Sequence, residues 1–246
     1  MNMKKRLGRY YNWRASTYSE LDEPGTIVSY VRSVGIKDHM KIINPKQDDK
    51  ILDVGCGTGR FLAHFPKTNA IGVDFSLNML MEAKKTGVAL VCGDAEHLPF
   101  KDDSFDVVHS AGLMGVFKSK KIVEEMARVT HPGKHIYVSF PVTLSASGLV
   151  ALLFLKLGRG KYNPSLFDCW YTEKDIATLF PKSLDVEGIM RLGWEFPFQR
   201  FFLRFKSRRL TKLFALLEKS LRNKPILKFL CARSLVKARK MTASKP

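Results

Sequence analysis

The chain has 246 residues, 45% of them hydrophobic, enough to fill the core of one substantial α/β domain without disulfides or a structural metal. Its four cysteines, Cys56, Cys92, Cys169 and Cys231, lie far apart, with no paired spacing and no histidine at zinc-ligand distance beside them, so no metal site is expected. The net charge of +18 is concentrated, because residues 199–246 hold fifteen Lys or Arg against the single acid Glu218.

The first residues are basic and lead into polar, aromatic sequence rather than the apolar core of a secretory signal. The longest apolar run, residues 148–155, is about half of a bilayer span and is closed by Lys156 and Arg159. The expectation is a cytoplasmic protein with reduced thiols, peripheral where it meets a membrane. Residues 25–34 and 37–42 read as two helices of a preamble covering 1–49. From 50 to 140 short β-rich runs (50–54, 69–73, 88–92, 105–110, 134–140) alternate with helix-like stretches (60–65, 77–85, 119–129), the rhythm of a buried parallel sheet. Ser76 and Ser119 occupy N-cap positions, and His131-Pro132-Gly133 reads as a turn.

Residues 141–183 read as a lid insertion. It holds an apolar helix around 149–155 and a second helix opened by Thr172-Glu-Lys-Asp175, a capping-box pattern. Two more strands, 184–191 and 233–238, bracket a basic and aromatic stretch around 196–214 expected to be a helical insertion near the C-terminus. The expected fold is therefore α/β: a single domain over 1–246, with a doubly wound, mostly parallel seven-stranded sheet.

Three features carry chemistry. Residues 51–59, Ile-Leu-Asp-Val-Gly-Cys-Gly-Thr-Gly, run a strand into three alternating glycines, where the backbone can approach a ligand with no Cβ in the way. Asp74 closes the next strand nineteen residues after Gly55, placed to accept both hydroxyls of a ribose, which points to an adenosine-containing ligand. Asp94 closes the third strand, where a carboxylate can meet the exocyclic amine of an adenine; strand-terminal Asp also serves simply as a turn former.

In this order and spacing, and extended by Asp-Ser-Phe-Asp-Val-Val-His-Ser at 103–110 and Glu-Glu-Met-Ala-Arg-Val-Thr-His-Pro-Gly at 124–133, these elements resemble the class I S-adenosylmethionine-dependent methyltransferases, in particular the ubiquinone and menaquinone biosynthetic branch. The resemblance covers roughly 50–140 and implies a Rossmann-like sheet with S-adenosyl-L-methionine laid across the carboxyl ends of strands one to four. It implies that Gly55, Cys56, Gly57 and Gly59 wrap the methionine part. Asp74 would hold the ribose and Asp94 with Ala95 the adenine, with Phe75 a further cofactor-binding candidate. Asp53 would order the loop from beneath, Met79 or Leu80 would pack on the adenine, and Ser110 would close the fourth strand nearby. The segment 10–18, Tyr-Tyr-Asn-Trp-Arg-Ala-Ser-Thr-Tyr, is similar to the aromatic N-terminal segment that closes over the cofactor in this branch, which makes Tyr11 and Tyr18 contacts; packing of those aromatics on the sheet is the alternative. The loop lacks the G-x-G-x-x-G spacing of nicotinamide dehydrogenases, and Lys134 stands where the family pattern has a second glycine.

Methyl transfer is an in-line displacement that needs alignment more than a nucleophilic side chain. For a hydroxyl or acidic-carbon acceptor His109, at the end of strand four, is the candidate catalytic base, or else simply a strand-end polar residue. The position after strand four reads Ser-Ala-Gly-Leu-Met rather than the Pro-Pro-aromatic motif of enzymes that methylate base amines. The expected acceptor is a small, hydrophobic or lipid-like molecule, met at an anionic membrane surface through the basic C-terminal segment. Two alternatives stand beside it: RNA bound by the same segment, the core also resembling some tRNA wobble-uridine methyltransferases, and a cofactor-binding module without chemistry.

Overall fold

A computed structural model describes residues 3–18, 24–142, 169–194, 207–221 and 231–242. In chain order the elements are α1 (Met3–Tyr18), α2 (Ile27–Ile43), β1 (Ile51–Val54), β2 (Ala70–Asp74), α3 (Leu77–Ala83), β3 (Ala89–Cys92), β4 (Phe105–Ser110), α4 (Lys120–Val129), β5 (Thr130–Pro141), α5 (Glu173–Leu179), β6 (Leu184–Trp194), α6 (Arg208–Leu221) and β7 (Cys231–Lys240). They build the expected seven-stranded α/β sheet, in the order β3-β2-β1-β4-β5-β7-β6. The pairs from β3 to β5 are parallel, and β7 runs antiparallel to both of its neighbours.

Successive residues of each strand face opposite sides of the sheet. Leu52, Val108 and Ile136 pack with Val123 and Met126 of α4, with Ile176 of α5 and with Tyr171 just before it. Ile51, Val107 and Tyr137 pack on the other side with Leu62, Leu80, Leu235 and Ile43 of α2. Each side chain of this kind taken fully from water contributes about 1.5–3 kcal/mol, so both faces need their helices.

Several elements differ from the expectation. The preamble's 25–34 and 37–42 are one helix, α2, which runs through Gly35 from the Thr26 cap, whose Oγ1 accepts from Ser29 N–H, to Asn44 in the left-handed region. The helix expected at 60–65 is only a 3-10 turn at Leu62–His64, because Pro66 offers no amide and holds Phe65 in extended backbone. The expected turn at His131-Pro132-Gly133 lies inside β5 as an excursion: Phe105 pairs with Thr130 and Val107 with His135, so β5 carries extra residues there, with Gly133 at φ +80°. Ser76 caps α3 by accepting from Met79 N–H, whereas Ser119 precedes α4 without a capping bond and donates instead to Glu96. The Thr172 capping box is present in full. The apolar helix around 149–155 and the start of the basic stretch, 196–206, lie outside the described residues.

Candidate cofactor site

The glycine loop leaves β1 at the carboxyl end of the sheet. Its entry is pinned to β2, where Gly55 N–H and Cys56 N–H both donate to Val73 O. Gly55, Gly57 and Gly59 all have positive φ, a backbone that L side chains rarely adopt. Their surroundings separate their roles. A Cβ on Gly57 would meet nothing within 4 Å, so its backbone faces open space, whereas one on Gly59 would come within 2.8 Å of Thr86 and 3.1 Å of Ala83. Gly59 is thus a packing glycine that lets the loop close on α3.

Asp74 holds the loop from β2. Its Oδ2 accepts from Gly57 N–H and its Oδ1 from Ser76 N–H, both at 2.8 Å. Burial raises its carboxyl above the usual range, against the lowering effect of those two N–H groups. Each oxygen keeps a second lone pair for a ligand hydroxyl, and the neighbouring Gly57 backbone is the open one, so loop and acid fit a ribose-bearing cofactor.

Helix α1 crosses above this end of the sheet and is fastened to it at three points. Lys4 Nζ lies 2.7 Å from Asp94 Oδ2 and also pairs with Glu96. Gly8 sits so close to the Phe75 ring that a Cβ there would be 2.8 Å from it. Asn12 accepts from Ser76 Oγ at 2.6 Å, and its carbonyl accepts from Asn78 Nδ2. Burial pushes the Asp94 carboxyl up, but the Lys4 ammonium and the Glu96 N–H outweigh it and leave it below the usual range.

Together these parts enclose a cavity of about 720 Å³, within the usual range for small-molecule sites, about 300–1,000 Å³. Of the residues expected to touch a cofactor, Asp53, Gly55, Cys56, Gly57, Asp74, Phe75, Met79, Asp94, Ala95, Tyr11 and Tyr18 line it. Gly59 and Ser110 are not among its lining residues. Ser110 is buried and donates to Val54 O, tying β4 to β1. Leu80 turns into the core under β2, which leaves Met79 to face the cavity. Burial raises the Cys56 thiol far above its ordinary range and keeps it uncharged. Sequence reasoning missed the cavity's cations, Lys4, Arg14, Arg32, Arg60 and Arg233, although Arg60 follows the glycine loop directly. Among the described residues no group of three or more His, Cys, Asp or Glu is arranged to hold a metal.

His109 is placed behind the wall rather than in it. It pairs in register with Asp53 across β4 and β1, and Nδ1–H donates to Asp53 Oδ1 at 2.8 Å. Its ring is fully buried against Phe61 and Phe65, and its Nε2 has no hydrogen-bond partner. This geometry orients Asp53 and puts no nitrogen of His109 in the cavity lining. The histidine that does line the cavity is His39 of α2. Its Nδ1–H donates to Gly35 O at 2.7 Å, and its Nε2 accepts from Ser139 Oγ at 3.1 Å, which is the neutral form with both nitrogens used. Burial, followed by the nearby His109, pushes its pKa down to about 3.

An open α/β sheet whose glycine loop and strand-terminal acids surround one cavity defines a nucleotide-type cofactor protein, and comparison with known proteins makes the class specific. The family profile described as a methyltransferase domain matches residues 52–138. A demethylmenaquinone methyltransferase of Mycobacterium bovis is 41% identical over 163 residues, 62% of this chain and 68% of that protein. One from Corynebacterium kroppenstedtii is 39% identical over 101 residues, 40% of this chain, and there the match spans 44% of the relative's length. A solved S-adenosylmethionine-dependent methyltransferase from Thermotoga maritima, described as a possible histamine N-methyltransferase, superposes with a TM-score of 0.63 at 18% identity, covering 97% of this chain and all of that one, which speaks to the fold. The chain belongs to the class I S-adenosylmethionine-dependent methyltransferases, in the family of the demethylmenaquinone methyltransferases. Its cofactor is S-adenosyl-L-methionine, to which the open Gly57 backbone and the fixed Asp74 carboxylate are suited.

Proposed function

We propose that this protein transfers a methyl group to a small, hydrophobic, quinone-like acceptor as a peripheral enzyme on an anionic cytoplasmic membrane surface. The similarity to demethylmenaquinone methyltransferases over 68% of a relative's length carries the acceptor class. The cofactor supplies an electrophilic sulfonium methyl; the chain's own residues bind, orient and exclude water. In this reading Asp74 and Gly57 hold the ribose end, Asp94 with Ala95 the adenine end, and Asp53, oriented by His109, the loop around the methionine part. His109 acts as a positioning residue, and alignment supplies the rate.

Helix α6 supports the membrane part. Its Leu210, Leu213 and Leu216 are exposed, Leu216 at 67%, and lie among exposed Arg208, Arg209, Lys212 and Lys219. Phe214, one turn beyond Leu210, packs edge-on against Tyr30, at 6.0 Å between ring centres, and Thr211 Oγ1 donates to Gly25 O, so α6 is held to α2 along that edge while the three leucines stay exposed. That is the pattern of an interfacial helix, with about 1 kcal/mol from each basic residue near anionic lipid. Basic charge alone would serve RNA equally; the leucines favour lipid. No helix among the described residues is long and apolar enough to cross a membrane.

The test supplies labelled S-adenosylmethionine and a demethylated naphthoquinol with phosphatidylglycerol or phosphatidylcholine vesicles. Label should enter the quinol fastest with phosphatidylglycerol, and Leu213→Asp with Leu216→Asp should abolish vesicle sedimentation. A protein that binds the cofactor yet labels tRNA and never the quinol would overturn the proposal.

A further inference from the structure

Helices α1 and α3 share a surface at the rim of the cavity. Their contact is fixed where Ser76 Oγ donates to Asn12 Oδ1, where Asn78 Nδ2 donates to Asn12 O, and where Gly8 lies against the Phe75 ring. Phe75 lines the cavity and is half exposed, so the rim runs through it. Beside it Trp13, Leu77 and Met81 turn outward, Trp13 with 72% of its surface in water and the other two more than half. Exposed cations follow at helical spacing: Lys5 and Arg9 stand two turns and one turn before Trp13, and Lys84 one turn beyond Met81. The acid of α3, Glu82, is paired with Lys85. Large apolar side chains clustered in water and rimmed by charge mark an interaction surface, where a single exposed leucine would not. Helices α2 and α3 cover the same face of the sheet, Ile43 and Leu80 sharing one core cluster, and α6 is held to α2, so this surface and α6 lie on the same side of the sheet.

We infer that the surface shared by α1 and α3 is a second membrane contact, placed at the cavity rim, with an anionic bilayer as its partner. Trp13, Leu77 and Met81 enter the interface, and Lys5, Arg9 and Lys84 meet the lipid headgroups. Tryptophan suits that depth, since its ring is apolar and its N–H polar. RNA could use the cations and stack on Trp13, but it would leave Leu77 and Met81 in water, so lipid is the partner that the whole surface fits. Docked in this way, the rim of the cavity lies against the phase in which a hydrophobic acceptor is dissolved. The inference rests on the membrane reading proposed above and adds where the bilayer touches.

The experiment mixes the full chain, wild type or Trp13→Phe, with phosphatidylglycerol vesicles containing phosphatidylcholine brominated near the top of its acyl chains. The vesicles should quench wild-type tryptophan emission well beyond that of Trp13→Phe and shift it to the blue. Leu77→Asp with Met81→Asp, at two exposed positions outside the cavity lining, should weaken vesicle binding roughly tenfold while S-adenosylhomocysteine binds as before. Vesicles that sediment the protein but quench wild type and Trp13→Phe alike overturn this inference and leave α6 as the contact; so does a double variant that sediments as wild type does. Emission of Trp13 that responds to tRNA and not to vesicles assigns the surface to RNA and overturns it too. A wild-type protein that no vesicle sediments would instead strike the membrane reading itself, so the two failures are distinguishable.

Discussion

His39 makes stability depend on pH in a way that can be sized from its surroundings. In the unfolded chain it titrates near 6.5, whereas in the folded protein burial, His109, Arg60 and Arg233 hold it neutral down to about pH 3. Between these values the unfolded state binds a proton that the folded state does not, so stability falls as pH is lowered through 6.5 and the loss ends near the folded value. From pH 7 to pH 5 the loss from this one group is about 2 kcal/mol. That figure is set by the unfolded value, because at pH 5 a folded pKa of 3 is already well below the solution. Urea unfolding of wild type and His39→Gln at pH 7 and pH 5 isolates it, since every other group is common to both. The glutamine can still donate to Gly35 O and reach Ser139 but cannot gain the proton, so its stability should drop by about 2 kcal/mol less than wild type over that interval. Equal drops in the two proteins would show that His39 is hydrated or charged in the fold and would refute the argument.

Asp74→Ala should weaken S-adenosylmethionine binding roughly a hundredfold by calorimetry, because it removes an ionic acceptor and releases the Gly57 N–H it fixes. The glycines should divide: Gly59→Ala, driven into Thr86 and Ala83, should cost about 2–4 kcal/mol in chemical denaturation. Gly57→Ala should cost only about 1 kcal/mol of stability but abolish cofactor binding. For α1, Lys4→Met should remove about 1 kcal/mol at neutral pH, given that these side chains keep 21–33% of their exposure. Asp94 and Glu96 are held below their ordinary 3.8 and 4.5, so that contribution is complete above the ordinary values and disappears as pH falls through the depressed ones; hydrogen exchange in α1 of wild type should then match the variant.

What the sequence made legible was the half of the fold where local pattern and tertiary need coincide. Ile51–Val54 and Phe105–Ser110 are buried on both faces, so their apolar runs announce them, and the spacing from Gly55 to Asp74 places both at one edge of the sheet. Pro66 could have warned that no helix fits before β2. Strand alternation could likewise have warned that His109 shares the face of Val107 and enters the core beside Phe61. The division of labour between Gly57 and Gly59 was hidden, because it depends on whether α3 passes behind the residue. The cavity's arginines were equally hidden: Arg32, Arg60 and Arg233 are far apart in sequence and line one cavity only because α2 and β7 both border it.

The antiparallel β7 lies between β5 and β6, although both are made before it. As the chain leaves the ribosome, the four strands of the cofactor half can pair in succession, while β6 emerges with no partner of its own and a vacancy beside β5 that it must not fill. The strand that settles this arrives last and brings Arg233 with it. The parallel half of the sheet can thus form early, and the cavity lining is completed only when the wedge goes in. A growing chain that stalls before β7 carries an unpaired β6 and an open β5 edge, the kind of surface that holdase chaperones recognise.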